Sequence, residues 1–108
     1  MTEEERFDEL NSLAVTFAQA QAEADHLSEF RKSKKALLMK EAEVQGHRTA
    51  AMQEREAYAH DEYTALLQGL KAAAETALAC KWKLEIARMR FEWARTKAAN
   101  RRAEMNLR

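Results

Sequence analysis

The sequence predicts an all-α protein, an antiparallel helical hairpin of two long, coiled-coil-like helices with a short helix between them. Three observations support this fold class. The 108 residues include no proline and only two glycines, and 33% of them are charged. Apolar residues recur at heptad spacing in the last third of the chain and again in the first third. We predict helices at about 3–45, 49–59 and 61–105, all within one domain that covers residues 1–108.

The longest predicted helix, 61–105, has an apolar seam of five heptads. With position a at Tyr63, positions a and d are all apolar or small, as in a coiled coil. These positions are Tyr63, Leu66, Leu70, Ala73, Ala77, Cys80, Leu84, Ala87, Phe91, Ala94 and Ala98.

The first predicted helix begins after Thr2, a candidate N-cap, and places Glu3, Glu4 and Glu5 at the positive end of the helix dipole. Its seam is apolar in the first half and mixed in the second. The a and d positions are Leu10, Leu13, Phe17, Ala20, Ala24, Leu27, Arg31, Lys34, Leu38 and Glu41.

Gly46 is predicted to end the first helix as a left-handed C′ residue. Thr49 is a candidate N-cap for the short helix, and His60 or Asp61 is a candidate cap for the long one. The alternative is that residues 49–105 form one continuous helix.

An antiparallel pairing of the two seams sets large residues against small ones. In the register that centres the turn near residue 52, Leu13 lies opposite Phe91, and Leu38 lies opposite Leu66. The same register pairs Glu9 with Lys97. It also sets the acidic residues 1–30, with eight acids and one base, beside residues 76–108, with nine bases and three acids.

A second apolar row lies about 180° around the long helix from its seam, at 100° per residue. It consists of Leu78, Trp82, Ile86, Met89 and Trp93. A single hairpin covers only one face of this helix, and an uncovered row of this kind favours association. We therefore expect a homo-oligomer, most simply a dimer that forms a four-helix bundle, or a contact with another protein.

Four basic residues form a row along one flank of the same helix. This basic rail consists of Lys81, Arg88, Arg95 and Arg102. The proposed register gives it no acidic partner. Three interpretations remain open: a solvated flank, a contact for an acidic protein surface, or a contact for nucleic acid.

Nothing in the sequence indicates catalysis, so we expect a protein that is not an enzyme and needs no metal and no cofactor. His60–Asp61 stands alone, without a second His-Asp pattern, and favours a helix cap over a metal site. Cys80 lies in the seam and is interpreted as a small buried residue. The acidic start shows no signal peptide, and no apolar run is long enough for a membrane span, which predicts a cytoplasmic protein without membrane contact.

The segment KALLMKEAEVQGHRTAAMQEREAYAHDEYTALLQGL, followed by a long helix that ends in ANRRAEMNLR, resembles small helical phage and prophage proteins. These proteins are encoded near recombination or early genes, and the resemblance covers roughly residues 35–108. It implies a phage-encoded protein that acts through partners in the host cytoplasm.

Three functions follow as expectations. The first is a helical interaction protein that docks on, or inhibits, a DNA-processing or host-defence complex. The second is a nucleic-acid-binding accessory protein of phage recombination. The third is a structural coiled-coil subunit.

Overall fold

The computed structural model describes residues 1–107. It shows a helical hairpin of three α-helices. Helix α1 spans Glu3–Val44, α2 spans Ala50–Ala59 and α3 spans Asp61–Leu107. No strand occurs in this part of the chain. The predicted fold class is confirmed, and each helix boundary lies within two residues of its prediction. None of the described helices is long and apolar enough to cross a membrane.

Helix α1 begins and ends with local hydrogen bonds that its sequence predicts. The hydroxyl of Thr2 accepts a hydrogen bond from the Glu5 amide at 3.1 Å. At the other end Gly46 has a φ of +107°. The Gly46 and His47 amides donate to the carbonyls of Glu43 and Ala42 at 3.1 and 3.0 Å, the pattern of a Schellman motif. Gly46 fits this position because it has no Cβ to oppose a positive φ.

The chain between α1 and α3 is interrupted at His60, so the alternative of one continuous helix over 49–105 is wrong. Thr49 caps α2 by accepting a hydrogen bond from the Met52 amide at 3.2 Å. His60 has extended backbone angles, φ −70° and ψ 136°, and ends α2. Its Nδ1 accepts a hydrogen bond from the Glu62 amide at 3.1 Å, which caps α3. The residue predicted as an alternative cap, Asp61, is instead the first residue of α3.

The contacts of the chain group into two units, of which one comprises Ala20–Ala77. Its core is a cluster of Leu38, Ala57 and Tyr63, with Ala57 fully buried. The Tyr63 ring also meets the edge of the Tyr58 ring at 5.4 Å between centroids. The register that paired Leu38 with Leu66 is therefore wrong here. The predicted register treated α2 as part of the turn. In the structure, Ala57 of α2 packs into the core between Leu38 and Tyr63.

Two ion pairs join the helices of this unit. Lys34 Nζ lies 2.9 Å from Glu62 Oε2, and Lys35 Nζ lies 3.1 Å from Glu54 Oε1. The Lys34 ammonium holds the pKa of the Glu62 carboxyl below its usual value. The Lys35 ammonium does the same to the pKa of Glu54. The pKa of Lys35 is itself raised, first by its interaction with the Tyr58 side chain and then by Glu54.

The other unit comprises Met1–Gln19 and the described residues from Leu78 onward. Leu84, Ala87 and Phe91 are buried against the start of α1. The Phe91 ring packs on the Phe7 ring, with centroids 4.7 Å apart and planes tilted by 55°. The predicted partner of Phe91 was Leu13, six residues further along α1, so the register is wrong in this unit as well. The apolar periodicity of two such helices determines which faces meet, but it does not determine how far one helix is shifted along the other.

The seams themselves are confirmed at all but two positions. All eleven predicted seam positions of α3 are buried or half-buried except Ala98, which is exposed. All ten positions of α1 are buried or half-buried except Glu41. The core is thin, because two helices alone cover only one side of each other.

Candidate interaction surface on helix α3

The second apolar row of α3 is exposed along its whole length. We call its five members the tryptophan row, and they are between 43% and 65% exposed. They are Leu78, Trp82, Ile86, Met89 and Trp93. The sequence predicts that these residues face away from the seam, and in the structure they do.

Helix geometry explains why these residues face away from α1. Phe91 and Trp93 are two positions apart, which places them about 200° apart around the helix axis. When Leu84 and Phe91 pack against α1, Trp82 and Trp93 must therefore project from the opposite side. Phe91 is 7% exposed and Trp93 is 65% exposed. The burial of one row and the exposure of the other are consequences of a single helix orientation.

The basic rail is exposed as well, at all four of its positions, which are Lys81, Arg88, Arg95 and Arg102. Arg88 approaches Glu85 of its own helix at 3.5 Å, a pair whose side chains are 55% and 39% exposed. The Arg95 guanidinium lies 5.8 Å from the centroid of the Phe91 ring. No ion pair within residues 1–107 joins the rail to an acid of α1. The rail thus presents cationic groups to solvent.

The tryptophan row has two charged edges of opposite sign, which the sequence interpretation missed. Glu85 and Glu92 lie along one edge, and Lys83, Arg90 and Lys97 lie along the other. The signal was available, since the edges become visible when heptad positions are counted from the tryptophan row instead of the seam. Residues on each edge are seven apart, so each edge stays in line with the row.

Lys97 does not form the predicted pair with Glu9. The Lys97 ammonium lies 5.7 Å from the centroid of the Trp93 ring, one helical turn before it. No ion pair between Glu9 and Lys97 occurs in the described chain. An exposed pair of two flexible side chains contributes little, so a contact along the same helix is a comparable alternative. Lys97 therefore belongs to the edge of the tryptophan row.

An open groove of about 1020 Å³ runs beside the last third of α3. Arg6 lines it from α1 and Met1 from the residues before that helix, and Arg90, Trp93 and Arg101 are among its residues on α3. Acids also line it, including Glu3, Glu9 and Glu92. The groove combines an aromatic ring with charges of both signs, and the bases outnumber the acids.

The histidines and the cysteine have structural contacts. The His26 ring stacks on Phe30 with centroids 6.3 Å apart, and His47 Nε2 lies 3.9 Å from a Glu56 carboxylate oxygen. His60 caps α3, and Cys80 is half-buried in the seam. Among residues 1–107, no three His, Cys, Asp or Glu side chains are grouped to hold a metal ion.

Comparisons of the chain with protein families, curated proteins and solved structures found no match. The arrangement of the side chains on α3 therefore carries the functional argument.

Proposed function

We propose that this chain is a non-enzymatic helical interaction protein that acts by docking on an acidic surface of another protein. The tryptophan row carries the proposal. It sets two tryptophans, a leucine, an isoleucine and a methionine on one exposed helix face. Large exposed apolar patches on soluble proteins mark interaction sites, and leaving this one in water costs free energy.

The residue types of this surface are those that dominate protein interfaces. Tryptophan and arginine are enriched at binding hot spots, and aromatic side chains bury a large area with few rotatable bonds. Trp82 and Trp93 supply such anchors, and the basic rail lies about one third of a turn further around the helix. The tryptophan row thus offers apolar anchors, and the basic rail offers cationic groups that match an acidic partner surface.

The tryptophan row also supports self-association, so we propose that the chain forms a homodimer. A dimer that covers the tryptophan row leaves the basic rail at the side of the assembly, where a partner still reaches it. Self-association and partner docking then use different residues of the same helix.

The resemblance to phage and prophage proteins encoded near recombination or early genes supplies a setting. We propose that the partner belongs to a DNA-processing or host-defence complex in the cytoplasm of a host cell.

Co-purification from host lysate tests the proposal. We expect a protein with an acidic surface to be retained by the wild-type chain and lost by the Arg88→Glu/Arg95→Glu variant. The matched control is Lys32→Glu/Lys40→Glu, which changes the net charge equally at two exposed positions of α1. If the same proteins are retained by all three chains, the basic rail has no part in docking.

Nucleic-acid binding is the second candidate, and the groove beside α3 favours it. The groove brings Trp93 next to Arg90, Lys97 and Arg101. An aromatic ring among bases is the arrangement that stacks a nucleotide base and contacts the adjacent phosphates. Gel-shift titration with single- and double-stranded DNA tests it. Binding at low salt that weakens steeply with added salt supports this function, and no shift at low salt excludes it.

A further inference from the structure

We propose that the tryptophan row is covered by the same row of a second copy, with the two α3 helices running parallel and in register. This inference deepens the proposed homodimer by naming which surface meets which, and in which direction. It rests on the charged edges of the row, and the basic rail plays no part in it.

The tryptophan row has the positions of a coiled-coil seam. Ile86 and Trp93 occupy a positions, and Trp82 and Met89 occupy d positions. Leu78 lies at the adjoining g position and extends the apolar surface by one turn. A seam of this kind needs a facing helix to insert its side chains into. α1 is on the other side of α3, against Phe91, and leaves the row open to a second copy.

The charged edges select the orientation of that second helix. Glu85 and Glu92 occupy g positions, and Lys83, Arg90 and Lys97 occupy e positions. In a parallel coiled coil, each g position faces the e′ position five residues further along the partner helix. Glu85 then faces Arg90 of the second copy, and Glu92 faces Lys97.

Two-fold symmetry doubles these contacts to four attractive pairs per dimer. In an antiparallel arrangement, g positions face g′ positions and e positions face e′ positions. Acids then oppose acids and bases oppose bases along both edges. The pattern therefore disfavours the antiparallel arrangement and favours the parallel one.

The residue after this seam agrees with the same register. Asn100 is exposed and falls at the next a position after Trp93. A polar asparagine at one a position of a parallel coiled coil pairs with its copy and fixes both the register and the two-stranded state. The parallel arrangement brings the two Asn100 side chains together, whereas the antiparallel one separates them by many turns.

The exposed area of the tryptophan row is close to that of a small specific interface. The exposed parts of the five side chains amount to about 500–600 Å² per copy, or about 1,000–1,200 Å² for the pair. This approaches the lower end of specific protein interfaces, about 1,200 Å², before the charged edges are added. A second copy is thus large enough and correctly charged to cover the row.

Charge exchange measured by analytical ultracentrifugation tests the edges. We expect the wild-type chain to be a dimer at 100 µM, and Glu85→Lys/Glu92→Lys to raise its Kd by about tenfold or more at low salt. Adding Arg90→Glu and Lys97→Glu exchanges the edges and should restore the wild-type Kd. An antiparallel dimer would gain nothing from the exchange, since like charges would still face each other.

The matched control is Glu41→Lys/Glu43→Lys, which reverses two exposed acids at the end of α1 and should leave the Kd unchanged. Circular dichroism confirms that each variant is helical. The proposal is overturned by a monomeric wild-type chain at 100 µM, or by a fourfold variant that dimerises no better than the twofold one.

Cysteine cross-linking tests the direction of the helices independently. In a Cys80→Ala background, Asn100→Cys should form an intermolecular disulfide under mild oxidation, because a and a′ residues of a parallel pair lie close enough for that bond. Absence of the disulfide in a sample that is dimeric would rule out the parallel register. A monomeric wild-type chain that still retains its acidic partner would refute this inference and leave the proposed docking function intact.

Discussion

Phe91 and Trp93 are aromatic neighbours on α3 with opposite surroundings. Phe91 is buried against the Phe7 ring, whereas Trp93 is mostly exposed, with the Lys97 ammonium over its face. Residue size and hydrophobicity therefore do not decide which of the two supports the hairpin. Position on the helix decides it.

The first prediction compares these two rings. Phe91→Ala should lower the free energy of unfolding by about 2–4 kcal/mol, because it removes a buried ring and leaves a cavity in a thin core. Trp93→Ala should change it by less than about 0.5 kcal/mol in dilute solution, since the side chain is mostly exposed. Urea unfolding at micromolar concentration measures both changes. A larger loss of stability for Trp93→Ala than for Phe91→Ala would contradict the packing of Phe91 against α1.

The second prediction concerns pH and the carboxyl groups of Glu54 and Glu62. Their pKa values lie below the usual 4.5, because lysines stabilise the charged forms. A lowered carboxyl pKa stabilises the fold above the unfolded-state pKa, and this contribution is lost as the pH falls through the folded-state pKa. We therefore expect Glu54→Gln/Glu62→Gln to lower the Tm at pH 7, and we expect this difference to shrink as the pH falls below 4.5.

Thermal unfolding followed by circular dichroism across pH 2–8 measures this difference. A gap between wild type and variant that persists unchanged at the acid end would show that the two lysine contacts do not account for it. Lys35, whose pKa is raised, has the opposite dependence, so its contribution is present below about pH 10.5 and lost above its folded-state pKa.

At the scale of the helices, the two glycines have different roles. Gly46 ends α1 with a φ of +107°, and Gly69 lies in the interior of α3. A Cβ added at either position meets no atom within 4 Å. Steric space is therefore equal at the two sites, and only the backbone conformation distinguishes them.

The third prediction uses this matched pair. Gly46→Ala should destabilise the protein by about 1–2 kcal/mol, since a side chain disfavours positive φ. Gly69→Ala should stabilise it by about 0.5–1 kcal/mol, because alanine loses less conformational entropy in a helix. Denaturant unfolding of the two variants should give changes of opposite sign. Changes of the same sign would contradict the role of Gly46 as a left-handed helix end.

The helices and their ends were predictable because their signals are local. Thr2, Gly46 and Thr49 each act on backbone groups within a few residues, and heptad spacing shows which face of a helix is apolar. The register was not predictable in the same way. Leu13 and Phe7 are both apolar residues of α1, and heptad spacing does not indicate which of them lies beside Phe91.

The candidate surface was predictable in part for the same reason. The tryptophan row follows from helical spacing, and its exposure follows from the burial of the seam. The charged edges are not apparent when heptads are counted from the seam, because Lys97 then falls at a g position that points toward Glu9 of α1 in the predicted register.

At the scale of the whole molecule, acidic and basic residues are equal in number but are unevenly distributed along the chain. The 18 basic and 18 acidic residues give a net charge of zero. A protein without net charge has little long-range repulsion between copies, so short-range patterns on its surface govern association. On α3, the tryptophan row and its charged edges form such a short-range pattern.

The fourth prediction links association to stability. If the folded chain dimerises through the tryptophan row, its Tm should rise with protein concentration between 1 and 100 µM, because association stabilises the folded state by mass action. Trp82→Ala/Trp93→Ala should remove this dependence while keeping the helical signal. A wild-type Tm that does not vary with concentration would argue against dimerisation.

The corner between α1 and α3 satisfies its own backbone groups, through Gly46, Thr49 and His60, without help from distant residues. Such a corner pays little loop-closure entropy and is able to form early during folding. The contact between Phe7 and Phe91 closes a much longer stretch of chain, so we expect it to form later and to open earlier. Native-state hydrogen exchange should therefore show amides near Leu38 and Tyr63 protected longest, and equal protection at the termini would contradict this order.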